Sequence, residues 1–203
     1  MPTLRANRAL RVASLVATTA LAAGASGVLA VPSNTRLTND VAGGYISNYQ
    51  LVTGNAYSDA TIDECGQSRG RQNEPSVAIN PRNSSVIVGS SNDYCGVYNA
   101  GEDPNGAPIA AGPIWLGYYR SQNGGANWQS SLVPGYPGDT SPYASRAKIR
   151  TASSGDPVLA WDRHGRLFIG SESSGAANGL PNANYGDVWV ATFENPGGVD
   201  GAT

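Results

Sequence analysis

Four carboxylates stand at matching ends of short apolar runs and are the residues best placed to do chemistry. Glu74 and Asp156 each precede a proline, while Asp93 and Glu172 each follow a second apolar run. Carboxyl groups gathered round one cavity are the machinery of most glycoside hydrolysis, and their mutual repulsion can raise one pKa into the range of a general acid. Arg71, Asn73, Asn92 and Tyr94 neighbour them in the chain and are candidate substrate contacts. The acid-Pro pair occurs twice, which points to a structural duty for Glu74 and Asp156: holding the strand end and hydrogen-bonding the next unit. Asp93 has no counterpart in the second copy, where Ser173 and its neighbours stand, and is the stronger catalytic candidate. With His164 the one histidine, a zinc site has almost no ligand set, so neither metal nor cofactor is expected.

The elements that must position these groups form an internal repeat. Glu74-Pro75-Ser76-Val77-Ala78-Ile79-Asn80 recurs as Asp156-Pro157-Val158-Leu159-Ala160-Trp161-Asp162, and Val86-Ile87-Val88-Gly89-Ser90 recurs as Leu167-Phe168-Ile169-Gly170-Ser171. A third run, Ile114 to Tyr119, is matched by Val188 to Phe193. The turns between the first two runs, 81–85 and 163–166, suit hairpins. Repeated strand units with aromatic and glycine punctuation are the sequence form of a β-propeller, which needs about 4–8 such blades. The expected fold class is therefore all-β, with antiparallel four-stranded blades. Strands are expected near 75–80, 86–90, 114–120 and 127–132, followed by most of a second blade. A small β-sandwich fits the length better and the repeat worse.

The third run of the first copy leads into Ser121-Gln122-Asn123-Gly124-Gly125-Ala126-Asn127-Trp128. Two glycines supply the positive φ of a tight turn, Ser121 and Asn123 can bond the turn's own backbone, and Trp128 returns an aromatic to the packed face. In the second copy the same place holds Glu194-Asn195-Pro196-Gly197-Gly198, a degenerate or absent version.

The spacing Ser121, Asn123, Gly125, Trp128 resembles the Asp-box of the sialidase-like (BNR repeat) propellers, with Asn123 in the Asp position, and the resemblance covers about residues 70–195. It implies a six-bladed propeller acting on or binding carbohydrate, of which this chain would hold an N-terminal part, with further blades beyond Thr203. Enzymes of that family place an arginine two residues before the proline of the first strand, where it grips the substrate carboxylate; here Asn73 stands there and Arg71 lies two residues earlier. The family's acid/base aspartate falls after the next strand, near Asp93. With Asn73 in the arginine position, exo-sialidase activity is not expected. The alternative is a non-catalytic propeller that binds a glycan or cell-surface protein, or a structural module of a larger exported protein.

Residues 1–30 read as a signal peptide: Arg5, Arg8 and Arg11 precede a diluted apolar run ending in Val28-Leu29-Ala30. A lead-in is expected over 31–70, where Tyr45, Ile46, Tyr49, Leu51 and Val52 hint at a further strand, and the partial propeller over 71–203. The location is then extracytoplasmic, with no membrane span after signal removal. Without the three leader arginines, 10 basic residues face 15 acidic ones, which gives no reason to expect nucleic acid as a partner. A glycan or cell-surface glycoconjugate is the partner expected. Cys65 and Cys95 flank the first strand pair and suit one disulfide; two free thiols or a metal pair are the alternatives. Tyr136 and Tyr143 lie in the long segment 133–155, as does the basic run Arg146-Ala147-Lys148-Ile149-Arg150, a solvated edge or a contact for an anionic ligand.

Overall fold

The computed structural model describes residues 34–39, 41–67, 72–95, 114–147, 153–174 and 186–194. The expected signal peptide, Arg71, residues 148–152 and the segment 195–203 lie outside the described residues. Seven strands are described, in two antiparallel sheets. The first sheet runs in the order β1 (Gln72–Ile79), β2 (Ile87–Asp93), β3 (Trp115–Ser121), β4 (Gln129–Leu132). The second runs β5 (Ser153–Trp161), β6 (Arg166–Ser174), β7 (Gly186–Glu194). No sheet closes into a barrel among the described residues.

Short polar side chains close the first hairpin of each sheet. Asn80 Oδ1 accepts from the Arg82 N–H at 2.9 Å, and Asp162 Oδ1 accepts from the N–H groups of His164 (2.8 Å) and Arg166 (2.9 Å). These side chains mimic a turn carbonyl and hold the register that follows. The register then slips by one residue in both sheets, between Asn73 and Ser76 and between Gly155 and Val158. Each slip is a bulge holding the acid-Pro pair. Proline has no N–H to strand, so the bulge is where the ladder tolerates it. The acid-Pro pairs thus sit inside β1 and β5 rather than ahead of them.

The turn joining β3 to β4 is built by the residues expected to build it. Gly124 and Gly125 take φ values of 68° and 92°, open to glycine at little cost. Ser121 Oγ accepts from the Gly125 N–H at 2.8 Å, Asn123 Oδ1 from the Asn127 N–H at 2.9 Å, and the Trp128 indole donates to the Gly125 carbonyl at 3.0 Å. Trp128 is half-buried, packs against the core from the side, and precedes β4 rather than starting it.

The lead-in differs from expectation. Instead of a strand, it forms two short helices, α1 (Asn48–Thr53) and α2 (Ala60–Cys65), and its backbone pairs with the first sheet at one isolated parallel bridge, Tyr45 to Ser130. The caps explain the helices. Ser47 Oγ accepts from the Gln50 N–H at 3.2 Å, Gly54 ends α1 with φ 71°, and Asp59 Oδ1 accepts from the Ile62 N–H at 3.0 Å. Asn48 donates to the Leu132 carbonyl, Ser130 Oγ donates to the Leu37 carbonyl, and Leu37 packs over Gly89 beside Tyr119. Cys65 and Cys95 are joined in a disulfide, their Cα atoms 4.6 Å apart, which ties the end of α2 to the end of β2.

The two sheets pack face to face. Tyr118 of β3 stacks on Phe193 of β7, with ring centres 4.9 Å apart, and Trp115 stacks on Trp189 at 6.2 Å. Val88, Leu116, Leu167 and Ile169 are fully buried in the same core. Polar bonds cross as well: the Leu159 N–H donates to Ser76 Oγ at 3.3 Å and the Ser154 N–H to the Ile114 carbonyl at 3.0 Å. No helix of the described residues is long and apolar enough to cross a membrane.

Candidate functional site

The site is built on the two bulges. Glu74 and Asp156 both have φ near 53°, the left-handed region that a residue with a side chain enters only with strain, of about 1–3 kcal/mol each. A conformation of that kind persists only where surrounding contacts fix it, and here Asn92 of β2 supplies them. Its side-chain amide donates to Glu74 Oε2 at 2.5 Å and to Asp156 Oδ1 at 3.3 Å, while its Oδ1 accepts from the Asp156 N–H at 2.6 Å. Gly155 makes this approach possible: a Cβ there would lie 3.1 Å from Asn92 Oδ1. One residue of the first sheet therefore clamps the acid-Pro bulges of both sheets.

Clamping by one amide nitrogen brings the two carboxyls together. Glu74 is held above the usual glutamate range because its protonated form bonds to Asp156; some desolvation and the Asp156 charge add to this, Asn92 opposes it, and Glu172 adds a further negative charge. Asp156 moves the other way, held below the usual aspartate range by the bonds from Glu74 and Asn92. As pH falls, Glu74 therefore takes up its proton before Asp156 does. Both groups, and Glu172 on β6, remain open to solvent. Three of the four carboxylates singled out in the sequence thus meet at one place.

Asp93 is elsewhere. It is 1 % exposed and points to the opposite side of β2 from Asn92. Its Oδ2 accepts from the hydroxyls of Tyr45 (2.6 Å) and Tyr119 (2.9 Å), and its Oδ1 from the Cys95 N–H (3.0 Å) and the Gln72 amide (3.4 Å). Burial raises its pKa, and these four donors oppose the rise. Asp93 joins the lead-in, the first sheet and the neighbourhood of the disulfide, beside a cavity of about 150 Å3 that Thr61, Trp115 and Tyr136 also line. The expected convergence of Asp93 with Glu74 and Asp156 does not occur. The physical reason is strand parity: β2 continues through Asp93, so Asn92 and Asp93 face opposite ways.

The other candidates are scattered. Asn73 is exposed on β1, paired in register with Asn92. Tyr94 is half-buried just after β2. Sequence reading did not find Gln72, Tyr45 and Tyr119 as partners of Asp93. Nothing in the local pattern announces them, since the contact joins residues 21 to 48 positions apart. No cluster of three or more metal-ligating side chains occurs among the described residues.

The sequence matches no protein-family model and no curated protein. Among solved structures, the chain is similar to a Trypanosoma rangeli sialidase in complex with the inhibitor DANA, at 13% identity and TM-score 0.38, over 62% of this chain and 17% of that one. It is also similar to a glycosyl hydrolase from Bacteroides ovatus, at 18% identity and TM-score 0.37, over 76% of this chain and 37% of that one. The chain therefore spans well under half the length of either protein.

Proposed function

We propose that this chain is part of an exported β-propeller of the sialidase-like, Asp-box type that binds carbohydrate where Glu74, Asp156 and Glu172 meet. On this reading residues 1–30 are the export signal, 31–70 a lead-in, and each described sheet a blade, with further blades completing the ring. The face-to-face packing of two sheets built from one repeat supports the architecture, and the bonding of Ser121, Asn123, Gly125 and Trp128 supports the Asp-box. The disulfide supports an oxidising, extracytoplasmic location.

The convergence of Glu74 and Asp156 on the Asn92 side chain is the observation that carries the functional reading. Glycosidases hold their two carboxyls about 5–9.5 Å apart to leave room for the glycosidic bond or a water. Carboxyls held by one amide nitrogen leave little such room, whereas their exposed oxygens offer charged acceptors to sugar hydroxyls. Asn73, in place of a cationic fork, supports the same preference for binding over sialic-acid hydrolysis.

Glycan-array binding and product release should be measured on the exported protein and on Glu74→Gln and Asp156→Asn. The expected result is binding weakened about 10-fold or more in each variant, consistent with loss of a charge-assisted hydrogen bond, with no glycoside cleaved by any form. Cleavage by the wild type that Glu74→Gln abolishes would replace this reading with an enzymatic one. Absence of any glycan binding would leave a structural module.

A further inference from the structure

A second concave site lies away from the inner-strand carboxylates, where the lead-in and the segment after β4 meet the outer strand of the second sheet. It encloses about 210 Å3 and is lined chiefly by apolar groups: Val133, Pro134, Tyr143, Trp189 and Phe193, with Arg146 at its rim. A cavity of ~150 Å3 is enough for a benzene ring, so this one is of the size for a single substituted ring. The guanidinium of Arg146 lies 5.2 Å from the centre of the Tyr143 ring, and among the described residues no carboxylate pairs with it. Tyr143 is in turn packed edge-on against Tyr49 of α1, with ring centres 5.5 Å apart, so the aromatic wall is braced from behind. The Trp189 indole donates to Ser154 Oγ at 3.0 Å and stacks on Trp115, which fixes its plane.

We propose that this cavity binds a small aromatic carboxylate. The walls favour an aromatic or apolar ring over a polyhydroxyl one, because most sugar hydroxyls would lose water against Val133, Pro134 and Phe193, with Asn48, Thr192 and Arg146 the polar lining groups among the described residues. Aromatic faces and edges at Tyr143, Trp189 and Phe193 suit offset or edge-to-face contact with such a ring. Among the described lining residues Arg146 supplies the single cationic group, and its planar fork matches a carboxylate. Stacked on Tyr143, the fork loses less freedom on binding than a free arginine would. The site is independent of the carbohydrate reading: none of its residues belongs to the Glu74 and Asp156 pair.

Phenylacetate, phenylacetamide and glucuronate should be titrated into the whole exported protein, followed by calorimetry and by the NMR signal of the Trp189 indole N–H. Phenylacetate is expected to bind one-to-one at roughly millimolar concentration or below, as befits a ligand of about ten heavy atoms, and to shift that signal. Phenylacetamide and glucuronate should each bind at least about 10-fold more weakly, because one lacks the charge and the other the aromatic ring. In Arg146→Gln, whose side chain is exposed and whose fold should persist, phenylacetate should weaken to the level of the amide. The proposal is overturned if phenylacetate leaves the Trp189 signal unmoved, if the amide or glucuronate binds as well as phenylacetate, or if Arg146→Gln binds phenylacetate unchanged. Tyr143→Leu separates the wall from the charge: it should weaken phenylacetate and the amide alike, and equal binding to the wild type would also count against the site.

Discussion

Leu116 and Val188 hold the same place in their sheets, yet one is 0 % exposed and the other 84 %. The equivalence follows from register. Asn73, Asn92 and Leu116 form one row across the first sheet, just ahead of the acid-Pro bulge, and Gly155, Glu172 and Val188 form that row in the second. Two residues further along, Tyr118 is 1 % exposed and Val190 is 59 %. Strand propensity and hydrophobic pattern are alike in the two copies, so neither explains the difference. What differs is the covering: the face of Leu116 and Tyr118 lies against the second sheet, and nothing among the described residues lies against the face of Val188 and Val190. Burial in this molecule belongs to the contact between successive units, and each sheet alone presents an apolar face that only a neighbour can hide.

Truncating the covered member of each pair should have the largest effect. Tyr118→Ala should cost about 3–5 kcal/mol in denaturant melts, since it removes a buried ring from its stack with Phe193. Val190→Ala should stay within about 0.5 kcal/mol, as for other exposed sites. A comparable loss at Val190 would mean that its face is covered in solution.

The opposite side of the first sheet is covered by the lead-in, and the disulfide holds that cover in place. Replacing Cys65 and Cys95 together by serine should lower stability by about 3–4 kcal/mol, from the freedom returned to the unfolded chain. Loss of hydrogen-exchange protection should concentrate in α1, α2 and the strands beneath them. Unchanged protection there would show that packing alone retains the cap.

The rows differ in polarity as well. Asn92→Ala strips donors and an acceptor from both bulges and should cost about 1–3 kcal/mol. Glu172→Ala, at the matching place on the uncovered side, should change stability by less than about 0.5 kcal/mol. Equal costs would mean that the Asn92 clamp is incidental.

A smaller effect separates the buried carboxyl from the exposed ones. Because burial raises the folded-state pKa of Asp93, the folded protein binds the extra proton between the ordinary aspartate value and that raised value. Stability from this group is therefore greatest below the ordinary value and falls as pH rises through the window, by at most about 1.4 kcal/mol per pH unit. Asp93→Asn, followed by melts across pH, should flatten that decline. An unchanged profile would place the titrating group elsewhere.

Much of this arrangement was legible in the sequence because it is local. The β1–β2 and β5–β6 hairpins, the third strand of each sheet and the Ser121 to Trp128 turn follow from patterns a few residues long, and all are present. The helices of the lead-in were legible too, through Ser47 before Asn48, Gly54 after Thr53 and Asp59 before Ala60, but the aromatic residues at 45 and 49 read more strongly as a strand. Ending the second strand at Ser90 concealed the alternation that turns Asn92 toward the bulges and Asp93 away from them. The left-handed backbone at Glu74 and Asp156 left no trace in composition, since a residue before proline ordinarily extends. The pairing of Tyr45 with Asp93 and the clamp from Asn92 to Asp156 join distant parts of the chain, and no periodicity encodes them.

The proposed site turns on the coupling of two carboxyls between the two sheets, and carbon-13 NMR titration of Glu74 and Asp156 reads that coupling directly. In the wild-type protein, Glu74 should titrate above the ordinary glutamate range and Asp156 below the ordinary aspartate range. In Asp156→Asn, the Glu74 value should fall back toward ordinary, because the ionised partner that holds its proton is gone. Ordinary, independent titration of both groups in the wild type would contradict the pairing, and with it the binding site built on it.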